Sequence, residues 1–232
     1  MSDLPELDTA LKNFSGRAPL FPLPNIVLFP HALLPLHIFE DRYRRMMADT
    51  LDGERLIAMS LLRPGWEGVA KGEVAPVHRV VGLGKIIAHE KLADGRYYLV
   101  LRGLARANLL REEKLDLPYR VGQLEICLEA QDESLSYDRQ ERIKHLVTAF
   151  AQLFPKIKLN QLFAHDFLDL PLGTVTDVLL GSVPLPAKIS QQFQEELNID
   201  TRSEMLMDLL QEALEGQVGS AGRTFPPVFS MN

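Results

Sequence analysis

The stretch from Ala18 to Pro35 constrains the fold more than any other part of the chain. It holds five of the 15 prolines, at positions 19, 22, 24, 30 and 35, set among Leu, Phe, Ile and Val. Proline has no backbone N–H and does not fit inside a helix, and within sheets it is confined to strand ends, bulges and edges. The segment is therefore expected to be extended, with its prolines at such positions. Residues 1–17 are polar, with Leu4, Leu7 and Leu11 at a spacing that suits one or two helical turns docked on the body as an N-terminal arm.

A short helix follows. Tyr43, Met46, Met47 and Leu51 recur at i, i+3, i+4 and i+8 within residues 40–51, the spacing of one buried stripe, while Arg42, Arg44 and Arg45 turn mostly outward. Residues 55–63 read as a strand. Pro64-Gly65-Trp66-Glu67-Gly68 then forms an exposed loop carrying the chain's one tryptophan. Residues 77–90 and 96–102 are rich in Val, Ile, Tyr and Leu, and Asp94-Gly95 between them is a hairpin signal, because glycine supplies the positive φ the turn needs. Gly103 marks a bend or bulge, strand character resumes through Arg111, and residues 119–129 are the last strand expected. Residues 18–130 thus read as a mainly antiparallel β domain with one inserted helix.

Beyond Gln131 the apolar period changes from two to about 3.6. Ile143, Leu146, Val147, Phe150, Leu153 and Phe154 make a stripe on a helix begun near Ser136 and stopped by Pro155. Further helices are expected at 158–168, 173–182 and 186–197. Another begins at Thr201, where Thr201 and Glu204 have the spacing of a capping box, and Gly216 suits its C-terminal stop. Residues 131–216 are read as a helical subdomain and 217–232, rich in Gly, Ser and Pro, as a flexible tail.

Charge and cysteine content narrow the function. A formal net charge of −6 opposes general attraction to nucleic acid or anionic lipid, which need a surplus of Lys and Arg on some face. Cys127 is the lone cysteine, so neither an intramolecular disulfide nor a four-thiolate zinc site can form, and a reducing compartment fits. The acidic N-terminus lacks a secretory pattern, and no run of about 18 apolar residues occurs, so the chain reads as soluble and cytoplasmic.

Several runs carry a resemblance. Pro19-Leu20-Phe21-Pro22-Leu23-Pro24-Asn25-Ile26-Val27-Leu28-Phe29-Pro30, continuing through Pro35-Leu36-His37-Ile38-Phe39-Glu40-Asp41-Arg42-Tyr43, resembles the opening signature of the Lon protease N-terminal family. Gly82-Leu83-Gly84, Asp94-Gly95-Arg96-Tyr97 and Leu101-Arg102-Gly103-Leu104-Ala105-Arg106 resemble that family's central hairpin and following strand. The resemblance spans about residues 18–216 and implies an α+β fold: a PUA-like β pseudo-barrel with one inserted helix, related to the Lon-like domain of cereblon, followed by a C-terminal helical bundle. It further implies recognition of unfolded polypeptides and subunit association. The chain is expected to stand alone, ending where the motor of a full-length Lon would begin.

Motifs for covalent chemistry are weak. A P-loop needs Gly-x-x-x-x-Gly-Lys-Ser/Thr, and around Gly84-Lys85 the first glycine is replaced by Arg79 and the hydroxyl residue by Ile86. Gly82-Leu83-Gly84 fails the dinucleotide pattern, and tight β packing accounts better for its glycines. His89-Glu90 begins a zinc-protease pattern but Ala93 stands where the second histidine belongs, and His31 and His37 have no evident third ligand. No catalytic, cofactor or metal residue is assigned. The expected partner is an unfolded polypeptide, held through Phe29, Phe39 and Tyr43 of the proline-rich region and Trp66 of the loop; self-association is a further expectation. The basic groups Arg42, Arg44, Arg45 and Arg102, Arg106, Arg111 keep an RNA-binding module as the rival reading, though the acidic balance argues against it, and a structural or assembly protein is the third.

Overall fold

The computed structural model describes residues 9–70, 73–132, 138–163 and 166–219. The chain divides between Cys127 and Leu128 into two compact units.

The first unit is a six-stranded sheet: β1 (Arg17–Leu23), β2 (Leu33–Ile38), β3 (Leu56–Leu61), β4 (Val80–Lys91), β5 (Tyr97–Glu113) and β6 (Arg120–Ile126), with helix α1 (Asp41–Leu51) between β2 and β3. The strand order is β2-β5-β4-β3-β1-β6, and a further pairing of β5 with β6 closes five strands into a ring. Closure depends on the 17-residue β5, whose first part pairs with β2 and whose last part pairs with β6, while β4 runs beside most of it. The β2 strand lies outside the ring and, among the described residues, meets no other strand on its far side. All pairings are antiparallel except β1 with β3, whose crossover contains β2 and α1.

Closure buries apolar side chains on both faces of the strands. All six residues of β3 are buried: Leu56 and Ala58 belong to one core cluster with Ala18, Leu20 and Leu83, while Ile57 and Met59 belong to a second cluster. The α1 helix caps that second face with Tyr43, Met46 and Met47, and the Tyr43 ring lies 4.4 Å from Phe21. The stripe expected from the sequence is the buried one, with Thr50 added and Leu51 half-buried.

The prolines of β1 are not where an edge rule would put them, since β1 has neighbours on both sides. Its pairing is divided: residues 17–20 pair with β6 and residues 20–23 with β3. Pro19 thus lies ahead of the β3 pairing and Pro22 beyond the β6 pairing, so each removes a donor only where one side of the strand is open.

The segment between β1 and β2 explains the glycines. Leu28 and Phe29 are both 2% exposed and lay their backbone directly on β4 and β5. A Cβ at Gly82 would overlap the Leu28 carbonyl oxygen, and one at Gly103 the Phe29 carbonyl oxygen. Gly103 also lies beside a register shift between β4 and β5 at Leu83/Gly84, and its carbonyl accepts the amide of His31, which has a φ of 65°. The Asp94-Gly95 signal yields the hairpin it predicts: Gly95 has a φ of 83°, and Leu92 N–H donates to Arg96 O at 2.8 Å.

The second unit holds α2 (Arg139–Leu153), α3 (Leu159–Leu162), α4 (Leu172–Ser182), α5 (Ala187–Glu195) and α6 (Ile199–Gly219), with a 3-10 turn at Phe167–Asp169. The start expected near Ser136 lies outside the described residues; Asp138 caps α2, accepting from Gln140 N–H at 2.8 Å. Apolar faces of α2, α4 and α6 meet through Leu146, Phe150, Val175, Leu179, Leu206 and Leu210.

Two helix-end expectations are corrected. The last helix begins at Ile199, and the capping oxygen belongs to Asn198, which accepts from Thr201 N–H at 3.0 Å. Asn198 is fixed there because the flanking backbone bridges to Ala130: Ile199 N–H donates to Ala130 O at 2.9 Å. Gly216 does not stop the helix, which continues to Gly219.

Arg202, on the first turns of α6, has no exposed side-chain surface. It donates to Glu129 Oε1 at 2.6 Å and to Glu196 O at 2.7 Å. Its Nε sits 3.2 Å from Asp177 Oδ1, a charge contact whose angle falls short of a hydrogen bond.

Candidate functional site

The apolar surface of the first unit collects around β2. Alternation along this strand turns Leu34, Leu36 and Ile38 toward the core and leaves Leu33, Pro35 and His37 on the other face. The register sets His37 beside Tyr98 and Tyr98 beside Glu90, and sets Pro35 beside Val100 and Val100 beside Ala88. These two rows line a shallow groove of about 470 Å³ across β2, β5 and β4.

The His37 ring stacks on Tyr98, centroids 4.7 Å apart and planes at 26°, and stands 5.8 Å from Phe39. Its Nε2 is buried with no hydrogen-bond partner. Phe39 is 61% exposed, Leu33 60% and Tyr98 50%, so this face presents large apolar side chains to solvent around the groove. A face of this kind on one sheet marks a place where another molecule gains by burial.

The four contact residues expected from the sequence separate. Phe39 is exposed beside the groove, whereas Phe29 and Tyr43 are buried at 2% and 4% and shape the unit from within. Trp66 is half-buried in a 3-10 turn, Trp66–Gly68, entered through Gly65 at a φ of 87°. Tyr98 and Leu33 were not singled out by the sequence. The signal for them is present as exposed-face alternation, Leu33-Pro35-His37 against Tyr98-Val100, but it becomes readable only once β2 is known to pair with β5.

The arginines of α1 are matched locally. Arg42 pairs with Glu40 at 2.9 Å, Arg44 with Asp41 at 3.0 Å and Arg45 with Asp49 at 2.9 Å. Arg106 is buried, 2% exposed. Asp49 also accepts from the Tyr119 hydroxyl at 2.9 Å; burial and this bond push the Tyr119 pKa up to about 12. Burial works against the charge on Asp49, but the bonds from Arg45 and Tyr119 hold its carboxyl below the usual range. Among the described residues no three His, Cys, Asp or Glu side chains gather as a metal-ligand set, and His89 and Glu90 form an exposed wall of the groove. The second unit has a groove of about 610 Å³ between α2 and α6, lined by charged groups including Asp138, Glu141, Arg142, Glu204 and Asp208.

Residues 17–212 match the family model described as the ATP-dependent protease La (LON) substrate-binding domain. The chain belongs to that family. This Lon substrate-binding domain protein is 25% identical over 201 residues to Lon protease 2 of Desulfotalea psychrophila, covering 85% of this chain and 25% of that protein. It is 24% identical over 202 residues to Lon protease of Anaeromyxobacter dehalogenans, covering 85% and 23%. It spans about a quarter of the length of the curated relatives it matches, and the family match covers a substrate-binding domain, not a protease domain.

Solved structures agree on the fold. The Lon N-terminal domain protein from Xanthomonas campestris superposes with a TM-score of 0.59 at 23% identity, covering 83% of this chain and 97% of that one. The N-terminal domain of Mycobacterium avium complex Lon protease gives 0.61 at 13% identity, covering 84% and 98%. The α+β architecture expected from the sequence, a β domain with an inserted helix followed by helices, is the one observed. Among the described residues no helix is long and apolar enough to cross a membrane.

Proposed function

We propose that this Lon substrate-binding domain protein is a non-catalytic, cytoplasmic binder of unfolded or exposed hydrophobic polypeptide segments, acting as an adaptor or holdase. In this reading residues 18–130 form the gripping domain and residues 131–216 a helical subdomain. The observation that carries it is the solvent-facing apolar groove beside β2, where Phe39, Tyr98 and Leu33 stand exposed next to a strand with an open edge. Unfolded chains differ from folded ones in presenting apolar side chains together with unpaired backbone, and this surface meets both needs. Phe39 and Trp66 are the contact residues in this reading, with Phe29 and Tyr43 fixing the backbone beneath them. The carboxylate partners of Arg42, Arg44 and Arg45 favour a polypeptide over a phosphate backbone as ligand.

The test is anisotropy titration of a fluorescein-labelled, reduced and alkylated polypeptide beside a labelled single-stranded RNA. Saturable polypeptide binding is expected, weakened several-fold by Phe39→Ala with Tyr98→Ala and less by Trp66→Ala. Saturable RNA binding that falls steeply with salt, with none to the polypeptide, overturns the reading. A stable oligomer that binds neither ligand overturns it in favour of an assembly role.

A further inference from the structure

The backbone of β2 specifies more than an apolar surface. Gly103 N–H donates to Ala32 O at 2.9 Å, and Ala32 lies opposite Gly103 in the register that places Leu33 opposite Arg102. Hydrogen-bonded residues alternate along an antiparallel pair, so Leu34, Leu36 and Ile38 turn their N–H and C=O groups to β5. Leu33, Pro35 and His37 turn theirs to the open edge. The placement of Pro35 agrees independently: a residue without N–H sits where β5 asks for no donor.

Beside this edge stands an unmatched cation. Arg102 projects on the same face as Leu33, its register partner, and is half-buried. Its Nε is buried without a partner, and no carboxylate among the described residues pairs with it. Arg55, Arg63, Arg79 and Arg111 are exposed to water, whereas Arg102 is half-buried, so the lack of a counter-charge costs more at Arg102. A half-buried guanidinium without a counter-charge favours a ligand that brings one.

We infer that β2 takes up an extended polypeptide as an added antiparallel strand, and that the preferred segment reads apolar-x-apolar-x-acidic from its N-terminus. This deepens the polypeptide-binding reading and rests on it. The first ligand residue pairs with His37 through two backbone hydrogen bonds and lays its side chain against His37 and Tyr98. The third lies opposite Pro35, donating to its carbonyl only, with its side chain over Val100. The fifth pairs with Leu33 through two bonds and sets its carboxylate against Arg102. Residues two and four turn their amides away from β2, so side-chain and backbone requirements fall on the same alternate positions.

The experiment uses the full chain and a labelled peptide with the core Phe-Thr-Val-Thr-Asp, compared with its Asp-to-Asn version and with single N-methyl versions at each core position. Methylation at the first, third or fifth residue is expected to weaken binding about tenfold, the equivalent of one hydrogen bond with its steric block, and at the second or fourth to change little. The Asn peptide is expected to bind several-fold more weakly to the natural chain, and the difference to vanish in Arg102→Gln. If the parent peptide binds but tolerates N-methylation at every position, strand addition is overturned while polypeptide binding stands. If Arg102→Gln keeps the preference for Asp over Asn, the assigned register is overturned. If neither the peptide nor the unfolded polypeptide binds, both readings are overturned together.

Discussion

Substituting Gly103 by alanine tests how the proline-rich segment is held. A Cβ at this position would overlap the Phe29 carbonyl oxygen and stand 2.9 Å from the Phe29 carbonyl carbon and 3.2 Å from Pro30 Cα. Carbon atoms in contact prefer roughly 3.5–4.0 Å, so the carbonyl carbon must retreat by about 0.6 Å or more, and its oxygen further. That oxygen belongs to the peptide joining buried Phe29 and Pro30 and cannot swing aside as the end of a long side chain would. Overpacking of this kind costs about 1–3 kcal/mol where side chains give way, and a backbone obstacle places Gly103→Ala at about 3 kcal/mol or above. Gly68→Ala is the control, because nothing lies within 4 Å of its added carbon, and it should fall within about 0.5 kcal/mol of the natural chain. Urea unfolding followed by circular dichroism measures both. Gly103→Ala unfolding within 0.5 kcal/mol of the Gly68→Ala control would refute the account of why this glycine is needed, as that result requires the segment to be free to lift.

In the second unit, Arg202→Met removes a cation 3.2 Å from Asp177, which is 1% exposed, and should destabilise by about 3–5 kcal/mol. Adding Asp177→Asn should recover part of the loss, and a double variant no more stable than the single one would show that the charge contact is not the cause. Burial first, and then the bond to Asp49, push the folded-state pKa of Tyr119 from its ordinary value of about 10 up to about 12, so the stability tied to keeping this hydroxyl protonated is fully present below about pH 10. That contribution is lost as the pH rises from about 10 toward 12. The absorbance difference at the tyrosinate band between the natural chain and Tyr119→Phe should therefore titrate near pH 12; a midpoint at the ordinary phenol value would contradict the burial and the bond.

The hairpin and α1 were legible because each is encoded in a few neighbouring residues. Asp94-Gly95 supplies its turn whatever lies elsewhere, and the Tyr43, Met46, Met47 stripe shows one wet and one dry side. The helix cap was misread for the opposite reason. Thr201 and Glu204 have capping spacing, but the bridge between Ala130 and Asn198, 68 residues apart in sequence, fixes the cap three residues earlier, at Asn198. Arg202 offered no sign of burial either, since its partners Glu129, Asp177 and Glu196 come from three separate segments.

The candidate site divides in the same way. The proline run dictated an extended backbone, and the glycines of Gly82-Leu83-Gly84 and Gly103 announced a close approach, because both follow from what a residue's own atoms permit. Which backbone makes that approach is settled by Leu28 and Phe29 crossing over β4 and β5. That Phe29 and Tyr43 are interior while Phe39 is not, and that β2 keeps a free edge while β6 loses its own to β5, are outcomes of strand pairing between distant segments. Alternation along one strand fixes two faces and leaves their assignment open. The ring of five strands makes that assignment, because closing it buries both faces of β3 and leaves β2 outside, paired on one side only among the described residues.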